Sequence, residues 1–408
     1  QSFINKILSI ISRHTMEVKK EGTHVLLRKL KSLSIKILNL PLKGLVLPFV
    51  VVMRIVRPVL FIRIGLLDIG RIGGMERALH YSCIRNTGLY KNRYFDIFFL
   101  TPTVVISNQQ WLKMWKRNLR ICPLFFSRFM IMLYVINKAI PGGQKQNLNI
   151  EVMPKAYFEQ NNVVEASLLS HNPILCFTKE EEEIGLKALQ EFGVHSNVPF
   201  ICFHNRDSSY LNKKKPDIDW SYHDYRDSNI HNYLLAAEEL VNRHYFAIRV
   251  GSVVSERLET TNEKIIDYAS HYHTDFMDLF LTSKCRFFIA SPSGINTIPL
   301  LFRKPTLTVN AAHFGYIPSW SGKELFIIKK FWWRNEKRLL TIKEICQVGI
   351  ENISTENFTK AGIELIENTP EEIREAVIEM DERLKGTWRS SEEDHELQQC
   401  FWDLFNMK

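Results

Sequence analysis

Apolar residues along this chain recur at two alternating spacings, and the alternation is clearest between Thr274 and Asn310. Phe276, Leu279 and Phe280 share one helical face, which predicts a short helix over 275–282. Residues 285–290 are an unbroken apolar run of strand length. Ser291-Pro292-Ser293-Gly294 breaks that run, residues 295–302 return to helical spacing, and Lys304-Pro305 stops them. The β-branched stretch 306–309 then predicts the next strand. Helix, strand, small-residue loop, helix, strand is half of a doubly wound parallel sheet, with the loop at a strand's carboxyl end. Such a loop can aim backbone N–H groups and a helix start at an anion, so a phosphate-bearing ligand is expected near Ser293 and Gly294.

The same alternation predicts strands at 59–64, 94–100, 200–204, 245–250 and 265–268. Helices are predicted at 76–84, 109–118, 125–140, 179–192 and 230–243. Trp111, Met114 and Trp115 lie at helical spacing and read as core. Thr178 is a good cap for the helix at 179–192, with acids in its first turn, and Gly193 ends it. Thr369 caps a helix over 369–384 with Pro370 at its first position, and a last helix is predicted at 391–405. Residues 142–172 have little periodicity.

At the amino end, Ile4, Ile7, Leu8 and Ile11 line one helical face, and Leu26, Leu30, Leu33 and Ile37 another, with basic residues between. Residues 45–53 are apolar but too few to span a bilayer, and Pro48 interrupts them. Charge sharpens this picture. The net charge of +9 is concentrated in residues 1–63, which hold twelve Lys/Arg and two acids, so the rest of the chain is close to neutral. Residues 1–58 are therefore expected to form a basic amphipathic arm apposed to an anionic membrane surface. The arm lacks an aromatic stacking platform, so no nucleic-acid partner is expected. The composition is globular, with 45% hydrophobic and 24% charged residues. Seven cysteines stand far apart with no C-x-x-C pair, which argues for a reducing, cytoplasmic setting without disulfides or a zinc site.

Candidate chemistry gathers in the second half. His204, Asn205, Arg206, Asp207 and Ser208 follow a predicted strand, at the end where open α/β sheets bind ligands. Arg206, Arg226 and Arg249 each fall near a strand end or loop, and the arginine fork suits phosphate. Asp217-Ile218-Asp219 has the D-x-D form of a metal site but follows K-K-K-P without a strand, so it reads as a solvated loop and no metal is expected.

A series of motifs carries a resemblance: R-I-G at Arg71, D-I-F-F at Asp96, the Ser107-Asn108 helix with K-M-W-K-R, H-N-R-D-S-S-Y-L from His204, and H-D-Y-R-D-S-N-I-H-N-Y from His223. I-R-V-G, D-F-M-D-L-F-L, C-R-F-F-I-A-S-P-S-G and E-N-T-P-E-E-I at Glu367 complete it. From about Val59 to Trp388 the chain resembles a bacterial glycosyltransferase family of GT-B type associated with surface-polysaccharide synthesis. The resemblance implies an α/β, GT-B-like fold of two Rossmann-like domains facing across a cleft. The divisions expected are an arm over 1–58, an acceptor domain over 59–194, a nucleotide-sugar domain over 195–368, and helices over 369–408 packing back on the first domain.

By the same resemblance, Arg206, Arg249, Ser293 and Gly294 hold the donor phosphates, with Asn296 and Thr297 nearby. Asn205, Asp207, Ser208 and Arg226 would line the rest of the cleft. Asp68, Glu76, His80 and His204 are the candidates for an acceptor base. No cofactor is implied beyond the nucleotide-sugar substrate, and the acceptor would be a glycan, lipid-linked, at the inner face of the cytoplasmic membrane. One departure stands out: the family pattern continues R-I-G with a histidine where this chain has Gly74. That keeps open a non-catalytic alternative, a degenerate transferase serving as a glycan-binding or assembly subunit. An NAD-type oxidoreductase suffers from the missing G-x-G-x-x-G.

Overall fold

The computed structural model describes residues 41, 43–86, 94–148, 150, 173–195, 198–312, 323–348 and 354–406. The amphipathic stretches at 2–12 and 25–40, and most of 142–172, lie outside them. The chain divides into two compact units: residues 1–67, 91–103 and 120–150 form one, and 68–90, 104–119 and 151–408 the other.

Among the described residues, the first unit holds a parallel sheet of three strands, β1 (Phe61–Leu66), β2 (Tyr94–Phe99) and β3 (Asn147–Leu148), in the order β2-β1-β3. Helix α1 (residues 43–55) and, further along the chain, a helix over Ser127–Ala139 pack on it. Val46, Val50 and Met53 of α1 join Ile64, Phe99, Met130 and Leu133 in one core. Pro48 does not interrupt α1, which runs on to residue 55. A turn then closes from Leu60 N–H to the Val56 carbonyl, so β1 starts at Phe61, two residues later than the pattern predicts. Arg63 and Asp96 are directly opposed in register on β1 and β2. Arg63 Nε and Nη2 donate to the two Asp96 carboxylate oxygens at 2.7 and 2.8 Å, and the guanidinium lies 4.0 Å from the Tyr94 ring.

The second unit takes in two segments that a linear division leaves with the first half. They carry α2 (Glu76–Asn86) and α3 (Gln109–Asn118). Polar contacts explain where α3 sits. Its cap, Asn108, donates to the Asp275 carbonyl at 2.8 Å, and Gln109 N–H donates to the Asp275 carboxylate. Gln110, Lys113 and Arg117 of α3 then converge on buried Glu181, in the first turn of the Lys179–Glu191 helix. Hydrogen bonds from these side chains, Arg117 foremost, hold the Glu181 carboxyl well below the usual range, and Glu181 also closes a capping box with Thr178. Trp111, Met114 and Trp115 are buried, as their spacing predicts.

The main sheet has six strands: β4 (Phe200–His204), β5 (Phe246–Arg249), β6 (Ile265–Ile266), β7 (Phe288–Ala290), β8 (Thr306–Ala311) and β9 (Leu325–Ile328). All neighbours are parallel, and the order is β6-β5-β4-β7-β8-β9. Relabelled by sequence within the sheet this is 3-2-1-4-5-6, the doubly wound Rossmann order. An antiparallel sheet of β10 (Lys330–Trp333), β11 (Arg338–Leu339) and β12 (Ile363–Ile366) follows, with β10 central. In the helix Pro370–Lys385, Ile373, Ala376, Val377 and Met380 share a core with the Leu234–Asn242 helix and with Leu307 and Val309 of β8. In the final helix, Glu392–Asn406, Phe401 and Trp402 rest on Phe326 of β9 at ring separations of 5.6 and 6.3 Å. All seven cysteines are free thiols, Cys202 and Cys285 among the buried ones.

Asp96→Ala would leave the Arg63 guanidinium buried without its counter-charge. Urea unfolding should report a loss of about 3–5 kcal/mol, and a loss near zero would show the pair to be unimportant for folding.

Candidate functional site at the carboxyl end of the six-stranded sheet

Winding reverses between β4 and β7, which lie side by side in the sheet. A crevice opens at such a reversal because the two outgoing loops turn to opposite faces. One loop is 204–208 after β4, and the other is 291–296 after β7. They are tied together: Arg206 N–H donates to Ser291 Oγ at 2.7 Å, and Ser291 N–H donates to the His204 carbonyl at 3.3 Å. Beyond Ser291 the chain is extended at Ser293, forms a single 3-10 turn over Gly294–Asn296, and enters a helix of five residues, Thr297–Leu301. The helical span expected over 295–302 is thus made of a 3-10 turn leading directly into a short helix. The 294–296 turn instead abuts the 3-10 turn Ile72–Met75. A Cβ on Gly294 would stand 3.0 Å from Gly73 N, and one on Gly73 would stand 3.3 Å from Gly294 Cα.

Cations surround this crevice. Arg206 is 5% exposed, Nη1 is ion-paired with Asp227, and Nη2 has no hydrogen-bond partner among the described residues. Burial and the neighbouring Arg226 charge bring its pKa down to about 10. Lys329, which the sequence pattern does not single out, is 3% exposed and donates from Nζ to the Asp227 carbonyl at 2.6 Å. Burial drives its pKa down to about 8, with Glu367 opposing and Arg206 adding to the shift. His223 is held near 4 by burial and by the charges of Arg226, Arg206 and Arg71. Asp227 is kept in place because Asn205 Nδ2 donates to the Ser228 carbonyl and Ser228 N–H donates to the Arg206 carbonyl. Deeper in, the Tyr233 hydroxyl lies 3.1 Å from Ser228 Oγ. Asn310, at φ 56°, exchanges two backbone–side-chain hydrogen bonds with Asn368 and leaves its Nδ2 unpartnered among the described residues.

Several expected site residues have partners within the protein. Arg249 is fully buried: Nη1 donates to the Glu256 carbonyl at 2.7 Å and lies 3.4 Å from Asp267, and Nη2 reaches Asn205. Its Nε has no hydrogen-bond partner among the described residues. Asp207 accepts from Ser209 N–H and from both the N–H and the hydroxyl of Ser255, fixing its own loop. Ser208 opens the short Ser209–Lys214 helix without a side-chain cap bond. Ser293 Oγ donates to Asn296 Oδ1 at 3.2 Å, and Thr297 is buried. Asp217–Asp219 is exposed, with Asp219 accepting from Ser221 N–H, and no group of three or more metal-ligating side chains forms among the described residues.

The four base candidates separate by environment. His204 Nδ1 lies 3.0 Å from the Val250 carbonyl, which can only accept, so Nδ1 carries the proton and Nε2 is bare. Burial lowers its pKa to about 4. His80 is buried on α2, also near 4 by desolvation, and 3.8 Å from Glu76. Glu76 directly follows the turn that meets Gly294 and is partly exposed, and desolvation raises its pKa. Asp68 accepts from Gly70 N–H at 3.1 Å. A Cβ at Gly74 would stand 2.8 Å from Asp68 Oδ2, so a side chain at position 74 would collide with this carboxylate where it now lies.

No protein-family model matches the chain, and no curated protein matches it in sequence. Solved structures with a similar trace include ADP-heptose LPS heptosyltransferase II of E. coli, 13% identical with a TM-score of 0.46, over 79% of this chain and 100% of that one. A family 9 glycosyl transferase from Veillonella parvula is 11% identical with a TM-score of 0.45, over 80% of this chain and 97% of that one. The iron-containing dodecameric glycosyltransferase TibC of enterotoxigenic E. coli is 8% identical with a TM-score of 0.40, over 79% and 76%. All three likenesses are distant, and none decides what this chain does.

The histidines set a pH dependence. His204 ordinarily titrates at 6.5 and in the fold near 4, so between those values the unfolded chain takes up a proton that the folded chain refuses. Stability should therefore decline as pH falls from about 6.5 to 4. His204→Asn keeps a donor for the Val250 carbonyl but cannot titrate. Urea midpoints measured across that window should slope less for the variant, with His223 retaining its own share, and parallel slopes would contradict the assignment.

Proposed function

We propose that the chain is a nucleotide-sugar-dependent glycosyltransferase of GT-B type whose donor diphosphate sits at the switch point between β4 and β7. The observation that carries this reading is Arg206: a buried guanidinium with a nitrogen unpartnered among the described residues, in the electrostatic neighbourhood of a second buried cation, Lys329. Such an excess of buried positive charge is costly unless an anion completes it. Arg206, Lys329 and Arg226 then face the phosphates, and the backbone of Ser293 and Gly294 supplies the rim. Arg249 acts behind them by holding Asn205.

In the reaction, the acceptor hydroxyl attacks the anomeric carbon, the bond from that carbon to the phosphate oxygen breaks, and its electron pair leaves on the diphosphate. Charge accumulates on that leaving group, so fixed cations there stabilise the transition state more than the ground state. We assign Glu76 to accept the acceptor's proton: its raised pKa makes it the stronger base, and its place beside the 72–75 turn puts it next to Gly294. The sequence resemblance supports a glycan acceptor, lipid-linked, in surface-polysaccharide synthesis at the cytoplasmic face of the membrane.

Calorimetric titration with nucleoside diphosphates and nucleotide sugars tests the reading. Arg206→Met should weaken binding about 10–100-fold, whereas unchanged affinity would sink the proposal. Since the Lys329 ammonium discharges near pH 8 rather than 10.5, affinity should fall as pH rises through about 8. Lys329→Met should flatten that fall. Glu76→Gln should lower kcat by roughly 10²–10⁴-fold with donor affinity kept. Binding of donor without turnover in the parent chain would favour the non-catalytic subunit instead.

A further inference from the structure

Helix α1 of the first unit is apolar on every side. Lys43 and Arg54 are the charged residues in its thirteen positions. Val46, Val50 and Met53 face the core, yet Leu45, Leu47, Phe49, Val51, Val52 and Ile55 on the other faces are between 48 and 71% exposed. A helix apolar all round is normally covered all round. The exposed face continues across the Phe49–Phe129 ring contact at 5.1 Å to the turn Leu124–Phe126, where Phe125 is 78% exposed. An apolar surface of this kind calls for an occupant.

Charge selects it. The described residues of the first unit carry eight Lys/Arg, three of them, Lys43, Arg128 and Lys138, exposed on the helices that bear this face. Against them stands a single acid, Asp96, which is buried and spent on Arg63. Two copies of so cationic a face would repel each other. The chain's own residues 1–40, with eight Lys/Arg and two Glu, have the same sign. An anionic lipid surface offers both an apolar phase and the opposite charge. Thirteen helical residues cover about 20 Å, short of the roughly 30 Å hydrocarbon core, and no described helix is long and apolar enough to cross a membrane.

We propose that the outer face of α1 and the Phe125 turn together dock into the headgroup boundary of an anionic bilayer, lying in it without spanning it. The inference does not rest on the transferase reading. The full chain would be sedimented with vesicles of phosphatidylcholine alone and of phosphatidylcholine with phosphatidylglycerol, beside a V52Q/I55Q/F125S variant. Binding should require phosphatidylglycerol, weaken with salt, and fall about tenfold or more in the variant. The side chains replaced are exposed, so circular dichroism and the melting temperature should not change. Vesicle binding equal in parent and variant would overturn the proposal. So would equal binding to both vesicle types, or a lipid-free dimer that the variant abolishes while vesicle binding survives.

Discussion

Arg206 is held in the interior of the second unit with less compensation than its charge demands, and much of the carboxyl end of the six-stranded sheet is arranged around that deficit. Taking an ion out of water costs several kcal/mol even after relaxation. Asp227 offsets part of the cost through its carboxylate. Yet its carbonyl is given to Lys329, which adds a second buried cation to the neighbourhood. The Arg206 amide, meanwhile, fastens the β4 loop to Ser291 after β7. One residue thus joins the two loops that flank the switch point and leaves a positive group there with a donor unpartnered among the described residues.

Two other buried arginines each have a buried acid beside them. Arg63 meets Asp96 through two parallel hydrogen bonds and stacks on Tyr94. Arg249 is bound by the Glu256 carbonyl, Asp267 and Asn205. Both are matched to a buried acid, and Arg249 Nε has no partner among the described residues. Arg249 and Arg206 lie at and just beyond the ends of adjacent parallel strands and differ in the groups folded against them.

The pairing of Gly73 with Gly294 adds a steric constraint. Two backbone turns can approach this closely only if neither carries a side chain, and the approach brings the residues that follow Gly73 up to the loop after β7. Gly74 belongs to the same constraint from the other side. The Asp68 carboxylate rests against it and leaves no room for a side chain unless the carboxylate moves.

Periodicity alone determined most of the elements, because period and length separate a buried strand from an amphipathic helix without reference to anything distant. The strand at 200–204, the helix at 109–118 with its Asn108 cap, and the Thr369 capping box all follow from local spacing. The small-residue loop after β7 was legible for the same reason. The choice among the arginines was not. Arg249 is paired with Asp267, eighteen positions away, and Arg206 with Asp227, twenty-one positions away. Lys329 gave no signal at all, being one basic residue in a run that reads Ile-Ile-Lys-Lys-Phe, and only burial made it different. Local backbone preference is written residue by residue along the chain. The energy of a charge is set by how much water it has lost and by what stands within a few ångströms, and tertiary structure decides both.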